Sequence, residues 1–205
     1  SQLVEVRWCR RLSIADRSPI DRRMKQSELE RARAHWAHRG SHRPEWAIAP
    51  GPGQESVWDY PRPPRIEQDS RLVRVRYDDT LLAETQRALR LLETASPPTF
   101  YIPPDDVRKD LLVPGRGASL CEWKGAARYW SLQAGGNEIP NVAWSYEQPF
   151  PEFAELSGHL CFYPGKVECY VDEHRVEAQA GGFYGGWITP EVVGPFKGDP
   201  GTGGW

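Results

Sequence analysis

Residues 121–146 read Cys-Glu-Trp-Lys-Gly-Ala-Ala-Arg-Tyr-Trp-Ser-Leu-Gln-Ala-Gly-Gly-Asn-Glu-Ile-Pro-Asn-Val-Ala-Trp-Ser-Tyr, and this stretch decides the fold. Short runs rich in aromatic residues alternate here with turn-forming Gly and Asn, which indicates strands joined by tight turns. Working outward, we predict further turns at Gly135-Gly136 and Pro164-Gly165. Five strands follow from this pattern: 119–123, 127–133, 141–146, 160–163 and 166–171.

A hairpin is predicted upstream of this region. Residues 71–77 alternate Val73, Val75 and Tyr77 with arginines, the period of two that a strand with one wet face shows. Asp78-Asp79 then forms a turn, and residues 80–85 return as the partner strand.

The segment between the hairpin and residue 117 is predicted to contain helices, a strand and a loop. Residues 86–93 carry alanine and leucines at helical spacing, which predicts a short amphipathic helix that Pro97-Pro98 stops. Residues 99–102 are strand-like, residues 103–107 suit a turn into a short helix, and residues 114–117 suit a surface loop.

Short strands at this spacing favour one fold class. We predict a mainly β fold, a small antiparallel sheet sandwich or open barrel with short helices, rather than a parallel doubly wound sheet. The core domain spans residues 57–178. A Pro/Gly linker at residues 47–56 precedes it, because alternating proline and glycine block both helix and central strand.

Two terminal segments flank this core. Residues 1–46, the N-terminal arm, are predicted to be helical from the cap at 18–21 to Gly40. The apolar stripe of this helix is thin, so it needs a partner surface to be stable. Residues 179–205, the C-terminal strap, hold nine glycines among aromatic residues, and we expect an ordered irregular segment that its rings pin to the body.

The net charge of -2 hides an asymmetry. The N-terminal arm holds eleven Lys and Arg against six Asp and Glu, whereas the remainder holds fifteen against twenty-two. The arm is either a basic surface for nucleic acid or an acidic partner, or a solvated helix that lies against its own acidic domain. We favour the second interpretation.

No metal site and no cofactor are predicted. The four cysteines form no Cys-x-x-Cys pair, so we expect reduced thiols rather than a zinc site or a disulfide framework. The arm histidines at positions 35, 38 and 42 have no carboxylate or cysteine placed to complete a metal shell. The sequence shows neither a secretion signal nor an apolar run near the ~20 residues that span a bilayer, so we expect a soluble, cytoplasmic protein with no membrane partner.

Several motifs in order resemble a bacterial family known as domain of unknown function 427. They include Trp58-Asp-Tyr-Pro-Arg-Pro-Pro64, Tyr101-Ile-Pro-Pro-Asp-Asp-Val107, Cys121-Glu-Trp-Lys-Gly125 and Ala143-Trp-Ser-Tyr146, and the resemblance covers roughly residues 57–178. It implies a compact β-rich domain and no particular activity. A nucleotidyltransferase-like label attached to the family finds no support, because a Gly-rich phosphate loop is missing and the paired aspartates stand in turn contexts.

Aromatic clustering predicts the location of a site. Trp and Tyr combine large apolar surfaces with one polar tip, so a cluster builds either a core or the walls of a pocket. We predict a binding module for a small molecule or a protein partner, in which Lys124 fixes an anionic group and Asp106 or Glu152 contacts a donor. The rings and the lysine assigned to this pocket are Tyr101, Trp123, Lys124, Trp130, Trp144 and Tyr146.

Two alternatives remain open. One is an enzyme in which burial lowers the pKa of Lys124 and makes it a nucleophile or base, or in which His159 activates Cys121 with Asp106 as the third member. Nucleic-acid binding is the other, suggested by the arginines of residues 71–77. The acidic balance of the core domain argues against nucleic acid as a partner.

Overall fold

The protein is built mainly from short strands. A computed structural model describes residues 26–205, in which there are one α-helix, α1 (Gln26–Ala34), and fifteen strands. The strands are β1 (Glu55–Ser56), β2 (Arg65–Asp69), β3 (Val73–Tyr77), β4 (Thr80–Thr85), β5 (Ala88–Glu93), β6 (Ser96–Tyr101), β7 (Leu112–Cys121), β8 (Gly125–Ala134), β9 (Asn137–Ser145), β10 (Leu160–Phe162), β11 (Glu168–Val171), β12 (His174–Arg175), β13 (Glu177–Ala178), β14 (Trp187–Ile188) and β15 (Val192–Val193). Short 3-10 helices lie at Val57–Asp59, Pro104–Asp106, Lys109–Leu111 and Pro151–Leu156.

The strands form small sheets in which antiparallel pairing dominates. Two sheets have four strands, in the orders β10-β9-β8-β7 and β12-β11-β3-β4, and a third has the order β2-β5-β6. The pairs β1-β15 and β13-β14 complete the set, and only β1-β15 is parallel. Within residues 26–205 no sheet closes into a barrel. The prediction of a mainly β fold with small antiparallel sheets is confirmed.

The predicted strands around the aromatic stretch are present. β7, β8 and β9 form a meander, and β10 pairs with β9. β7 begins earlier than predicted and ends at Cys121 rather than at residue 123, whereas β8 is longer at both ends and β9 begins four residues earlier. The predicted hairpin is also present as β3 and β4, with Asp78 at a φ of 48° in its turn. Asp tolerates this left-handed conformation better than most residues with a Cβ, which explains its place there.

The short helix predicted at residues 86–93 is wrong, because this segment is strand β5. β5 is the central strand of its sheet and buries residues on both faces, including Leu89, Leu91 and Leu92. A strand buried on both sides carries an almost continuous apolar run, and such a run also matches helical spacing.

Three prolines stand inside strands where the sequence predicted a helix stop and a loop. Pro97 and Pro98 lie in β6, and Pro114 lies in β7, beside a bulge that covers the predicted loop 114–117. Both strands are at an edge of their sheet. An edge strand has backbone N–H groups that need no ladder partner, so it tolerates proline.

The described part of the N-terminal arm packs on the body of the chain. α1 ends at Ala34 rather than at the predicted Gly40, and the following residues carry Trp36 into a buried position. Leu29 and Ala32 are buried as well. The predicted cap at 18–21 and Cys9 lie outside the described residues.

The sheet β10-β9-β8-β7 separates two hydrophobic cores. Successive residues of a strand point to opposite faces, so Tyr129 and Trp130 of β8 enter different cores. The first core joins this sheet to β3, β4 and β11. The second core contains most of the aromatic cluster together with Trp36 from the arm.

The C-terminal strap is ordered by its own contacts. Trp187 is fully buried, its ring lies 5.1 Å from that of Phe100, and its Nε1 donates to the Phe162 carbonyl over 2.9 Å. Gln179 accepts from the Gly186 amide at 2.9 Å and donates to the Lys197 carbonyl at 2.6 Å. These contacts anchor the strap in the first core through Trp187 and fold it back on itself through Gln179. Among residues 26–205 no helix is long and apolar enough to cross a membrane.

Candidate functional site

A cavity of about 170 Å³ lies within the second core. β6, β7, β8 and β9 supply its walls, and the arm and the strap cover it. The exposed backbone at Gly203 lies at its rim, so the cavity reaches the surface. Eight of the lining residues are aromatic: Trp36, Tyr101, Tyr129, Trp144, Tyr146, Tyr163, Phe183 and Tyr184.

The polar tips of the ring walls are engaged by the protein. Trp144 donates from Nε1 to the Tyr101 hydroxyl over 3.2 Å, and its ring centroid lies 4.5 Å from that of Tyr163. Tyr129 donates to Ser119 Oγ at 3.0 Å, and Tyr163 donates to the Phe183 carbonyl at 3.2 Å. These rings therefore present mainly apolar faces to the cavity.

Charged side chains stand among these rings. Glu93 and Glu122 line the cavity beside Lys124 and Lys197. Arg62, whose side chain is fully buried, donates from Nε to Glu93 at 3.3 Å.

Each carboxylate has a protein donor within hydrogen-bond distance. Arg62 serves Glu93, and the Trp36 indole donates to Glu122 over 2.7 Å. Lys197 lies with its Nζ 3.7 Å from the centroid of the Trp36 ring and donates to the main-chain oxygen of Trp205 at 3.3 Å.

The ammonium of Lys124 differs from these groups. The residue is only 9 % exposed, and its nearest carboxylate oxygen, Glu93 Oε2, is 3.8 Å from Nζ, beyond hydrogen-bond distance. Within residues 26–205 the ammonium makes no hydrogen bond. The hydroxyl of Thr99, which also lines the cavity, is buried and has no partner in the same part of the chain. Lys124 is therefore held by one long ion pair with Glu93, and the Thr99 hydroxyl is a buried polar group that loses its hydration without a hydrogen bond in return.

Electrostatics keep Lys124 charged. Burial alone lowers the pKa of Lys124, but the acidic groups around its ammonium outweigh burial and raise the pKa above its ordinary value. These groups are, in order of effect, Cys121, Tyr101, Glu93 and Glu122. Burial raises the pKa of Cys121 and of Tyr101, so both are neutral at neutral pH, and the negative charge beside the ammonium comes there from Glu93 and Glu122. The expectation that the net pKa of Lys124 is lowered is therefore wrong, since the sequence did not show how many acidic groups surround it.

The carboxyl of Glu122 loses its proton less readily than that of an ordinary surface acid. Burial, and then the neighbouring charge of Glu93, raise the pKa of Glu122 above its usual value. The indole of Trp36 opposes this shift by donating to the ionised form. The arm therefore contributes to the charge state of the cavity as well as to its wall.

The cover of the cavity requires a glycine. Gly185 has a φ of 69°, and a Cβ placed on it would lie 2.7 Å from Cη2 of Trp144. Both the left-handed backbone and the close approach exclude other residues without rearrangement. Phe183 and Tyr184 are held over the cavity by this turn.

The predicted ligand-binding residues divide into three groups. Tyr101, Lys124, Trp144 and Tyr146 line the cavity, whereas Trp123 is buried in the same core without reaching it. The remaining ring, Trp130, packs on the opposite face of the sheet, where its Nε1 donates to Ser145 Oγ over 2.8 Å.

The residues predicted for catalysis are only partly brought together. Cys121 and Lys124 line the cavity, but His159 does not and instead has Nδ1 3.2 Å from the Ser157 carbonyl. Asp106 also lies elsewhere, accepting from the Thr85 hydroxyl at 2.6 Å and from Arg87 at 2.8 Å. Among residues 26–205, no Cys-His-Asp arrangement lies at the cavity.

The buried cysteines should be slow to react. Burial raises the pKa of the Cys121 thiol to about 11, with Lys124 opposing the shift. Against a free thiol of pKa ~8.5, this reduces the thiolate at neutral pH by about two orders of magnitude. We expect iodoacetamide at pH 7.5 to alkylate Cys121 about 100-fold more slowly than free glutathione, followed by peptide mass spectrometry. Alkylation as fast as glutathione would contradict the buried, protonated thiol.

Sequence reasoning missed several lining residues. Glu122 stands inside the motif Cys121-Glu-Trp-Lys-Gly125, beside residues that were selected, and Glu93 ends the segment that was predicted as a helix. Trp36, Tyr184 and Lys197 come from the terminal segments, and nothing in their local sequence indicates that they meet one cavity. Only the aromatic content of the strap indicated that it packs on the body.

Fold and site together define a β-rich domain with an aromatic-walled, charged cavity covered by two terminal segments. A family model described as a domain of unknown function (DUF427) matches residues 65–173, and the chain belongs to this family. A comparison with curated proteins finds no match. Among residues 26–205 no group of three His, Cys, Asp or Glu side chains could hold a metal ion.

Proposed function

We propose that the protein binds a small molecule in the aromatic-walled cavity. The main support for this proposal is a cavity of about 170 Å³ that reaches the surface and is lined by eight aromatic side chains. A void of this kind sacrifices packing contacts, which a stable core normally avoids. A ligand that occupies it would restore those contacts.

The size of the cavity limits the ligand. An apolar cavity of about 150 Å³ holds one benzene molecule, whereas sites for drug-sized ligands span roughly 300–1,000 Å³. The volume here suits a single ring with a small substituent. A whole nucleotide is too large for it, which gives no support to a nucleotidyl-transfer reaction.

Binding is better supported than catalysis. The Lys124 ammonium has a raised pKa, so it is protonated at neutral pH and is neither a base nor a nucleophile. The pKa of Cys121 is also raised, and His159 lies outside the cavity. The groups at hand are suited to holding a ligand rather than transforming it.

The proposal does not extend to nucleic acid. Arg74 pairs with Glu84 at 2.9 Å, and Arg71 pairs with Asp69 and Glu191. These arginines are already paired with carboxylates and are not free to bind phosphates. The excess of acidic residues after residue 46 would also repel a polyanion such as nucleic acid.

Three single-ring probes of different charge test the proposal: benzoate, benzamide and benzylamine. We expect isothermal titration calorimetry to show one-to-one binding of at least one probe. Ala127→Phe should weaken that binding at least about tenfold, because Ala127 lines the cavity and a phenyl group would fill it. Ala126→Phe is the matched control, since Ala126 is the exposed neighbour of Ala127 and points away from the cavity.

Circular dichroism must show the same fold for both variants. Binding of none of the three probes would contradict the proposal. Unchanged binding by Ala127→Phe would contradict it as well, because the probe would then sit elsewhere.

A further inference from the structure

We propose that the ligand of this cavity is a compact planar carboxylate, whose ring lies between the aromatic walls and whose carboxylate meets the Lys124 ammonium. This inference rests on the proposed function and assigns its ligand class. It depends on which polar groups around the cavity already have partners and which do not.

The unmet demand in the cavity is for a hydrogen-bond acceptor. Lys124 is 9 % exposed, lines the cavity and makes no hydrogen bond within residues 26–205, with the Glu93 carboxylate 3.8 Å away. Thr99 adds a buried hydroxyl without a partner in that part of the chain. A carboxylate is the acceptor best suited to an ammonium, because a charge-assisted bond is about twice as strong as a neutral one, and its second oxygen remains free to accept from a hydroxyl.

A cationic ligand is disfavoured, although aromatic walls commonly bind cations. The acidic groups that would attract it are already engaged, Glu93 by Arg62 at 3.3 Å and Glu122 by the Trp36 indole at 2.7 Å. The ammonium of Lys124 lines the same cavity and would repel it. The electrostatic preference therefore runs toward an anion.

A doubly charged anion is disfavoured for the complementary reason. Glu93 and Glu122 both line the cavity, and their negative charges would repel a second charge on the ligand. The Lys124 ammonium is suited to one negative charge, and Lys197 already donates to the main-chain oxygen of Trp205. The volume of about 170 Å³ then leaves room for one ring beside the charged group.

The test compares benzoate with benzamide, which has nearly the same shape and no charge, by isothermal titration calorimetry. We expect the wild-type protein to bind benzoate about tenfold more tightly than benzamide, from the added strength of a charged hydrogen bond. Benzylamine should bind more weakly than either.

Lys124→Met should lower the affinity for benzoate about tenfold while changing that for benzamide by less than about threefold. A buried lysine replaced by an apolar residue of similar length is compatible with folding. Lys109→Met removes the same charge from an exposed position outside the cavity and should leave both affinities unchanged. Thr99→Val, a milder change, should weaken benzoate binding about threefold.

Equal binding of benzoate and benzamide would overturn the carboxylate assignment while leaving the small-molecule proposal intact. Tightest binding of benzylamine, or unchanged benzoate binding by both Lys124→Met and Thr99→Val, would overturn it in the same way. Binding of none of the three probes would remove the proposed function itself, so the two failures are distinguishable.

Discussion

Replacing Trp187 by alanine is expected to lower the free energy of unfolding by about 3–5 kcal/mol. Trp187 is fully buried in the first core, with its ring 5.1 Å from that of Phe100. Its Nε1 also donates to the Phe162 carbonyl over 2.9 Å, so the change leaves both a void and an unpaired acceptor. Urea denaturation followed by circular dichroism measures the loss.

Trp46→Ala is the matched control for this change, because Trp46 is 53 % exposed. We expect it to lower the free energy of unfolding by no more than about 1 kcal/mol. Trp187→Phe should fall between the two, since it keeps a ring and loses the hydrogen bond. If Trp187→Ala were as mild as Trp46→Ala, the strap would not be part of the cooperative fold.

The second large effect is expected at Arg62. Its side chain is fully buried and donates to Glu93 at 3.3 Å, to the Thr94 carbonyl at 2.8 Å and to the His38 carbonyl at 3.0 Å. The guanidinium also lies 4.3 Å from the centroid of the Trp36 ring. Arg62→Met should lower the free energy of unfolding by about 3–5 kcal/mol, because it leaves a half-buried carboxylate and buried carbonyls without their donor.

Arg62→Met should also loosen the arm. The bonds of Arg62 to the His38 carbonyl and its contact with Trp36 join the residues after α1 to the core. Hydrogen exchange measured by mass spectrometry should therefore speed up around residues 36–38 in this variant.

Arg43→Met supplies the control, since Arg43 pairs with Asp59 at 2.6 Å while both side chains are more than 40 % exposed. Such a surface pair contributes about 0–1 kcal/mol. Equal destabilisation by the two arginine variants would contradict the structural role given to Arg62.

The sequence was sufficient to predict the strands that carry one apolar face. Val73 and Val75 of β3 alternate with arginines, and that period of two identifies both the strand and its buried side. It was insufficient for β5, because Leu91 and Leu92 are buried on opposite faces of a central strand and their spacing also fits a helix. Proline in β6 and β7 added to the ambiguity, because only the sheet order shows that these strands lie at edges.

The sequence predicted only those residues of the candidate site that stand within its aromatic motifs. Tyr101, Lys124, Trp144 and Tyr146 were selected from the aromatic motifs and do line one cavity. Trp130 was selected with them but faces the other core, because the register of β8 decides which ring enters which side. The contributions of the arm and the strap depend on long-range packing that no local pattern encodes.

The central claim is that a small molecule binds in the cavity, and the indole N–H signals of the tryptophans test it most directly. A proton–nitrogen NMR titration with benzoate should shift the signals of Trp36 and Trp144, which line the cavity. The signals of Trp58 and Trp187, which do not line it, should stay in place. If Trp36 and Trp144 stayed unmoved at saturating benzoate, or all four signals moved alike, binding in this cavity would be contradicted.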